Sequence, residues 1–306
     1  VGKRAFIYPG QASQFVGMGS DFYEKYSLAR DYYEQANQLL DFSLTTMSFE
    51  GPDEVLKQTK YTQPAIFVLS IIISCLLSEK GISPQMVAGH SLGEYSALVA
   101  AEALTFESAL KIVKVRGEFM QKAGEENPGM MAAIIGLEEK AIEDICAEAS
   151  QESVVQVANF NAPNQIVISG TISGVSQAME LAKQRGALKT IPLVTSGAFH
   201  SSLMNNAQES LREFLETIEI KDPLIPVYAN VTSEPITAAN QIRMALYKQV
   251  THPVRWTQSI QNMIGDGADA FYEVGPKNVL TALLLRNHRR IQAVAIGTVE
   301  KLNNVC

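Results

Sequence analysis

The chain has 306 residues, 46% hydrophobic and 19% charged, the composition of a folded globular protein and not of a disordered one. Its 25 basic and 32 acidic residues give a net charge of −7, so general electrostatics disfavours nucleic acid and anionic membranes as partners. Cys75, Cys146 and Cys306 are odd in number and far apart, which fits neither a disulfide framework nor a cysteine metal site and points to a reducing, cytoplasm-type compartment.

The length suits one main core with a smaller appendage. The chain opens on strand-like Ala5-Phe6-Ile7-Tyr8 with no basic-then-apolar leader ahead of it, so no secretory signal is expected. Up to about residue 125, short apolar strands (Ala5 to Tyr8, Met86 to Ala88) alternate with helices near Phe22 to Leu40, Pro64 to Lys80, Gly93 to Ala103 and Phe106 to Lys122. That alternation predicts an α/β core in which helices cover a mainly parallel sheet. The longest apolar run, Ala65 to Leu77, has 13 residues, too few to span a bilayer, and is expected to be a buried core helix.

After Pro128-Gly129 the pattern changes. An apolar run, Met130 to Ile135, precedes a charged helix, Glu138 to Ala149, and then two strands, Val154 to Ala158 and Gln165 to Ser169, joined by the turn-rich stretch Asn159 to Asn164. A helix around Ser176 to Arg185 and a strand, Leu188 to Val194, complete a β-α-β-β-α-β order, that of a ferredoxin-like unit. We therefore expect a small domain, residues 126–195, inserted into a larger one formed by 1–125 and 196–306, with a ligand cleft between them. Beyond Ser201 follow a helix (Leu203, Ala207, Leu211, Phe214), the strand Ile225 to Ala229, a helix near Asn240 to Gln249 and the strand Ala270 to Val274.

Gly89-His90-Ser91-Leu92-Gly93 lies between a strand and a helix, the setting of a nucleophile elbow. Average Gly and Ser usage gives roughly 0.1 chance matches to this pattern in a chain this long, so the strand-turn-helix context carries the assignment. A serine hydroxyl needs a base. His90 adjoins Ser91 and diverges from it, His252 precedes Pro253, and His288 stands among Arg286, Arg289 and Arg290 in a surface-like setting. His200 remains, at the end of the small-residue stretch Thr195 to Phe199 and just before a helix.

Projecting Phe106 to Met120 at about 100° per residue puts Arg116 inside the apolar arc. An arginine there is either half of a structural ion pair or a clamp for a substrate carboxylate. Gly10-Gln11-Ala12-Ser13-Gln14 follows the first strand, where backbone N–H groups can face a ligand; it lacks the ending of a phosphate loop, and Gly17-Met18-Gly19 is a weak dinucleotide signal.

Pro9-Gly10-Gln11, Tyr61-Thr62-Gln63-Pro64-Ala65, Gly89 to Tyr95, Arg116-Gly117, Gly197-Ala198-Phe199-His200-Ser201 and Glu273-Val274-Gly275-Pro276 together resemble the malonyl-CoA:acyl carrier protein transacylase family, in order and over nearly the whole chain. Lys277 stands where members often have glycine. The resemblance implies an α/β-hydrolase-like large domain and transfer of a malonyl group through an ester on Ser91, with His200 as base and then acid. It also implies an oxyanion hole from the N–H groups of Gln11 and Leu92, a carboxylate site at Arg116, and a backbone carbonyl of Gln249 orienting His200. Phe199-His200 is similar to the malonyl-selecting form of the motif in related modular acyltransferases.

The same resemblance implies malonyl-CoA as substrate, no permanently bound cofactor and no metal, and acyl carrier protein bearing phosphopantetheine as partner. A monomer in the cytoplasm, or in an organelle stroma of a eukaryote, is expected. Arg286, Arg289 and Arg290 are candidates for docking the acidic carrier. Two other classes compete: an α/β-hydrolase, which would supply an acid such as Asp144 or Glu180 to the histidine, and a silent module that only binds coenzyme A or the carrier protein.

Overall fold

The computed structural model describes residues 2–151 and 153–305. Cys75 and Cys146 are free thiols, and Cys306 lies outside the described residues. Among the described residues ten strands form two sheets: β1 (Lys3–Tyr8), β2 (Met86–Gly89), β3 (Met130–Ile135), β4 (Val155–Ala162), β5 (Gln165–Gly170), β6 (Lys189–Leu193), β7 (Val227–Tyr228), β8 (Pro235–Ile236), β9 (Ala268–Val274) and β10 (Gln292–Ile296).

The larger sheet runs β10-β9-β1-β2-β7-β8, parallel except where the short β8 returns against β7. Its central strands are continuously apolar because both faces are covered. Phe6, Tyr8 and Val87 enter the main core on one side, while Ala5, Ile7, Met86 and Ala88 pack on the other against Trp256, Phe271 and Leu280.

Helix Thr59–Glu79 fills the main core. It has 21 residues, with an 18-residue window of mean hydropathy 1.7, long and apolar enough to cross a bilayer, but 83% of that window is buried inside this fold. Helix Phe106–Glu126, capped where the Thr105 hydroxyl accepts the Ser108 N–H, packs along it. Gly117 permits the approach, since a Cβ there would lie 3.0 Å from Lys60 Cα. The single helix expected over Phe22 to Leu40 is two, Ser20–Lys25 and Ser27–Leu39, broken at the extended Tyr26.

The smaller sheet runs β4-β5-β3-β6 and is antiparallel throughout. Helices Glu139–Ala149 and Ile172–Gln184 cover one face through Ile142, Ile145, Val175 and Ala178. The other face, with Met131, Ala133, Ala158 and Val167, joins the main core beside Phe199 and Met204. Most of the stretch expected as a turn, Asn159 to Ala162, is instead strand. It pairs with β5 on one side, and on the other the Phe160 N–H and Ala158 carbonyl exchange bonds with Val254. Pairing on both sides outweighs the turn preference of two asparagines. Conversely, the strand expected over Ile225 to Ala229 shrinks to Val227–Tyr228, preceded by Pro226, which has no N–H to pair.

Helix Gly93–Ala100 descends from the end of β2 so close to β1 that a Cβ on Gly93 would stand 2.1 Å from the Tyr8 carbonyl oxygen. Gly93→Ala is therefore expected to cost about 1–3 kcal/mol by overpacking, measured as a fall of several degrees in Tm; an unchanged Tm would contradict the tight fit.

Candidate active site

β1 and β2 are adjacent and parallel, so the loops leaving their C-terminal ends lie side by side. The His90 N–H donates to the Tyr8 carbonyl at 2.9 Å, and a Cβ on Gly10 would come within 2.5 Å of the His90 carbonyl. Ser91 occupies the tip of the second loop at φ 50°, in the left-handed region where a residue with a side chain is strained. Asn230 braces the turn: its side-chain oxygen accepts the Ser91 N–H at 2.7 Å, and its amide donates to the Gly89 carbonyl at 2.6 Å.

His200 is 109 positions away in sequence, and its Nε2 lies 3.0 Å from Ser91 Oγ. Its Nδ1 is 2.8 Å from the Gln249 carbonyl and 3.2 Å from the His252 carbonyl. Carbonyls only accept, so Nδ1 carries the proton and Nε2 offers its lone pair to the hydroxyl. Burial, followed by the nearby Arg116 charge, pushes the imidazole pKa down to about 3, which keeps it neutral and able to take a proton. The loop is tied to the smaller sheet by Gln156, whose amide donates to the His200 and Thr251 carbonyls, both at 3.1 Å.

Arg116 is 1% exposed. Its guanidinium donates to Gln63 Oε1 at 2.7 Å, Gln249 Oε1 at 2.9 Å and Ser91 Oγ at 3.0 Å, all neutral acceptors, and lies 5.4 Å from the centre of the Tyr95 ring. Its Nε has no partner. The structural ion pair weighed for it is not what holds it; the buried Glu94 stands one residue back, taking the Gln249 Nε2–H at 2.7 Å. Burial raises the Glu94 pKa to about 7, opposed by bonds from Gln249 and Asn230 and by the Arg116 charge.

Gln11 and Leu92 sit at the ends of the two neighbouring strands, and neither backbone N–H donates to another group among the described residues. Leu92 follows Ser91 directly, and Gln11 follows Gly10, whose backbone packs against the His90 carbonyl, so both lie beside the Ser91 turn. The Gln11 side chain reaches Thr59, which in turn meets Ser196 at 2.7 Å. A cavity of about 370 Å³ runs where the smaller sheet meets the larger unit, lined by Gln156, Val157, Phe160, Pro253 and Arg255; it borders the support of His200 and not the hydroxyl itself.

All six residues singled out from sequence therefore lie around one turn. Asp144 and Glu180 do not join them: each is more than half exposed and paired with a lysine on its own helix, Lys140 and Lys183. Arg286 donates to Gln165, and Arg289 and Arg290 are exposed, all outside this cluster. His90 is turned away, with Nε2 2.8 Å from Asn161 Oδ1. Sequence inspection missed the roles of Gln63, Glu94, Asn230 and Gln156. Gln63 and Glu94 carried a signal, a long polar side chain in a mostly apolar helix; Asn230 and Gln156 carried none.

The acyl transferase domain family matches residues 5–302. The chain is 44% identical over 301 residues to the malonyl CoA-acyl carrier protein transacylase of Bacillus subtilis (strain 168), covering 98% of this chain and 95% of the relative. Among solved structures, an acyl carrier protein S-malonyltransferase from Vibrio cholerae superposes with a TM-score of 0.96 at 40% identity, over 99% of this chain and 100% of that one. A malonyl-transacylase in complex with a type II PKS acyl-carrier protein gives 0.95 at 37% identity, over 99% and 98%. The chain belongs to the acyl transferase domain family and, within it, to the malonyl CoA-acyl carrier protein transacylases.

Proposed function

We propose that this chain moves a malonyl group from malonyl-CoA to the phosphopantetheine thiol of acyl carrier protein, supplying fatty acid synthesis. The observation that carries this is the convergence on one hydroxyl of a neutral imidazole and a buried guanidinium, both 3.0 Å away. Ser91 Oγ attacks the thioester carbonyl while His200 Nε2 takes its proton. The Gln11 and Leu92 N–H groups receive the oxyanion, and the Gln249 carbonyl holds the imidazolium through Nδ1. The C–S bond then breaks, and His200 returns the proton to the departing coenzyme A sulfur. In the second half the carrier thiol gives its proton to His200 and attacks the ester, and Ser91 leaves reprotonated.

Arg116 supplies the selection. A buried cation with only neutral acceptors gains a partner when the malonyl carboxylate arrives, and a charge-assisted bond of about 1.5–3 kcal/mol corresponds to roughly 10- to 150-fold in rate. Phosphopantetheine comes with the partner, and the residues of one chain handle every proton in the cycle, which suits a monomer. Two free thiols fit a reducing cytoplasm or stroma. The strand order β4-β5-β3-β6, with two helices on one face, supports a ferredoxin-like insert of residues 126–195 in a hydrolase-like unit of 1–125 and 196–306.

The direct test is intact-mass analysis after malonyl-CoA alone and then with carrier protein. One malonyl adduct on Ser91, absent in Ser91→Ala and discharged by the carrier, is expected; rapid hydrolysis without an acceptor would indicate a hydrolase. Arg116→Ala is expected to reduce kcat/KM for malonyl-CoA about 10- to 150-fold more than for acetyl-CoA, and equal losses would refute the clamp. Because the His200 pKa is held near 3, the base stays unprotonated far below the ordinary histidine range. The acetyl-CoA rate is therefore expected to show no acid limb around pH 6.5, and a limb there would place the imidazole in an ordinary environment.

A further inference from the structure

Glu94 is fully buried, in the helix that follows the nucleophile, and nothing in the transfer cycle uses it. Its Oε2 accepts the Gln249 Nε2–H at 2.7 Å and the Asn230 N–H at 3.2 Å. The far end of the same Gln249 amide, Oε1, accepts from Arg116 at 2.9 Å. A carboxylate requires a donor and a guanidinium requires an acceptor, so the two charges, together with the Ser91 carbonyl that also accepts from Nε2 at 2.9 Å, fix which way the amide points.

Resting on the assignment of Arg116 to the malonyl carboxylate, we propose that Glu94 is a positioning residue for substrate selection. It locks the Gln249 amide so that Arg116 is held charged and oriented, with donors left for the acyl group's carboxylate. A carboxylate in direct contact would form a two-pronged pair with the guanidinium and compete with the substrate. Set one amide back, Glu94 balances the buried cation without itself occupying the guanidinium, whose bonded acceptors are all neutral. The mutual effect of the two charges runs in the required direction: Arg116 opposes the rise of the Glu94 pKa, and Glu94 opposes the fall of the Arg116 pKa. Without the carboxylate the amide nitrogen keeps the Ser91 carbonyl at 2.9 Å but loses its charged acceptor, so the orientation that presents Oε1 to Arg116 is weakened. His200 would keep its orientation, because Gln249 holds it through its backbone and not its side chain, and the Ser91 N–H would stay on Asn230 Oδ1.

The test is kcat/KM for malonyl-CoA and acetyl-CoA at pH 8, above the Glu94 pKa of about 7, in the full chain, Glu94→Gln, Gln249→Met, their double variant and Arg116→Ala. Glu94→Gln and Gln249→Met are each expected to lower the malonyl-to-acetyl ratio at least tenfold, chiefly through KM for malonyl-CoA. The double variant is expected to fall no further than the worse single, because both break one chain of bonds. A wild-type ratio in Glu94→Gln, equal losses for both thioesters, or multiplied losses in the double variant would overturn the inference. Thermal melting and the rate of Ser91 modification by a sulfonyl fluoride report folding; if Glu94→Gln does not fold, Gln249→Met decides by the same ratio. Arg116→Ala keeps the two ideas apart. If it preserves the ratio the clamp itself fails, whereas if it collapses the ratio and Glu94→Gln does not, only the role of Glu94 fails.

Discussion

A guanidinium removed from water and surrounded by neutral acceptors is the constraint around which this site is organised. Burying an unpaired cation costs several kcal/mol even after relaxation. The fold offsets that with contributions from three helices: Gln63 from Thr59–Glu79, Tyr95 and Glu94 from Gly93–Ala100, and Gln249 from Ala239–Gln249. Each depends on the others being in place. The site is therefore a property of how these helices pack on the sheet and not of any one loop.

Gln249 shows how few residues do this work. Its carbonyl fixes the histidine tautomer, its amide oxygen holds Arg116, and its amide nitrogen reaches the Ser91 carbonyl at 2.9 Å as well as Glu94. Base, cation and nucleophile thus share one side chain and its backbone. Asn230 plays a similar part on the other flank, bonded to both sides of the elbow and to Glu94. Neutral amides suit these positions because each can accept from one neighbour and donate to another without adding charge to a dry interior.

The parallel sheet and the elbow were legible in the sequence because their physical demands are local: continuous apolar strands, and glycines where β1 and the helix after β2 nearly touch. Arg116 was legible too, as a charge on an apolar helical face. The role of Gln249 came from family resemblance alone, since no pattern marks a backbone carbonyl as important. Strand β10, the short β8 and helix Trp256–Gly265 went unseen, because short or half-exposed elements depend on neighbours supplied by distant parts of the chain. The length of β4 was misjudged for the same reason, Val254 being its unforeseen partner.

That partner has a wider consequence. β4 is bonded to Val254 at its edge, Gln156 on it grips the His200 loop, and Asn161 near its end meets His90 beside the nucleophile. Any swing of the smaller sheet away from the larger one would drag the imidazole off the hydroxyl, so a wide hinge opening and a working catalytic pair are mutually exclusive. An acyl donor and acceptor that reach the hydroxyl without parting the two sheets must be slender, which is the shape that a thioester on pantetheine already has.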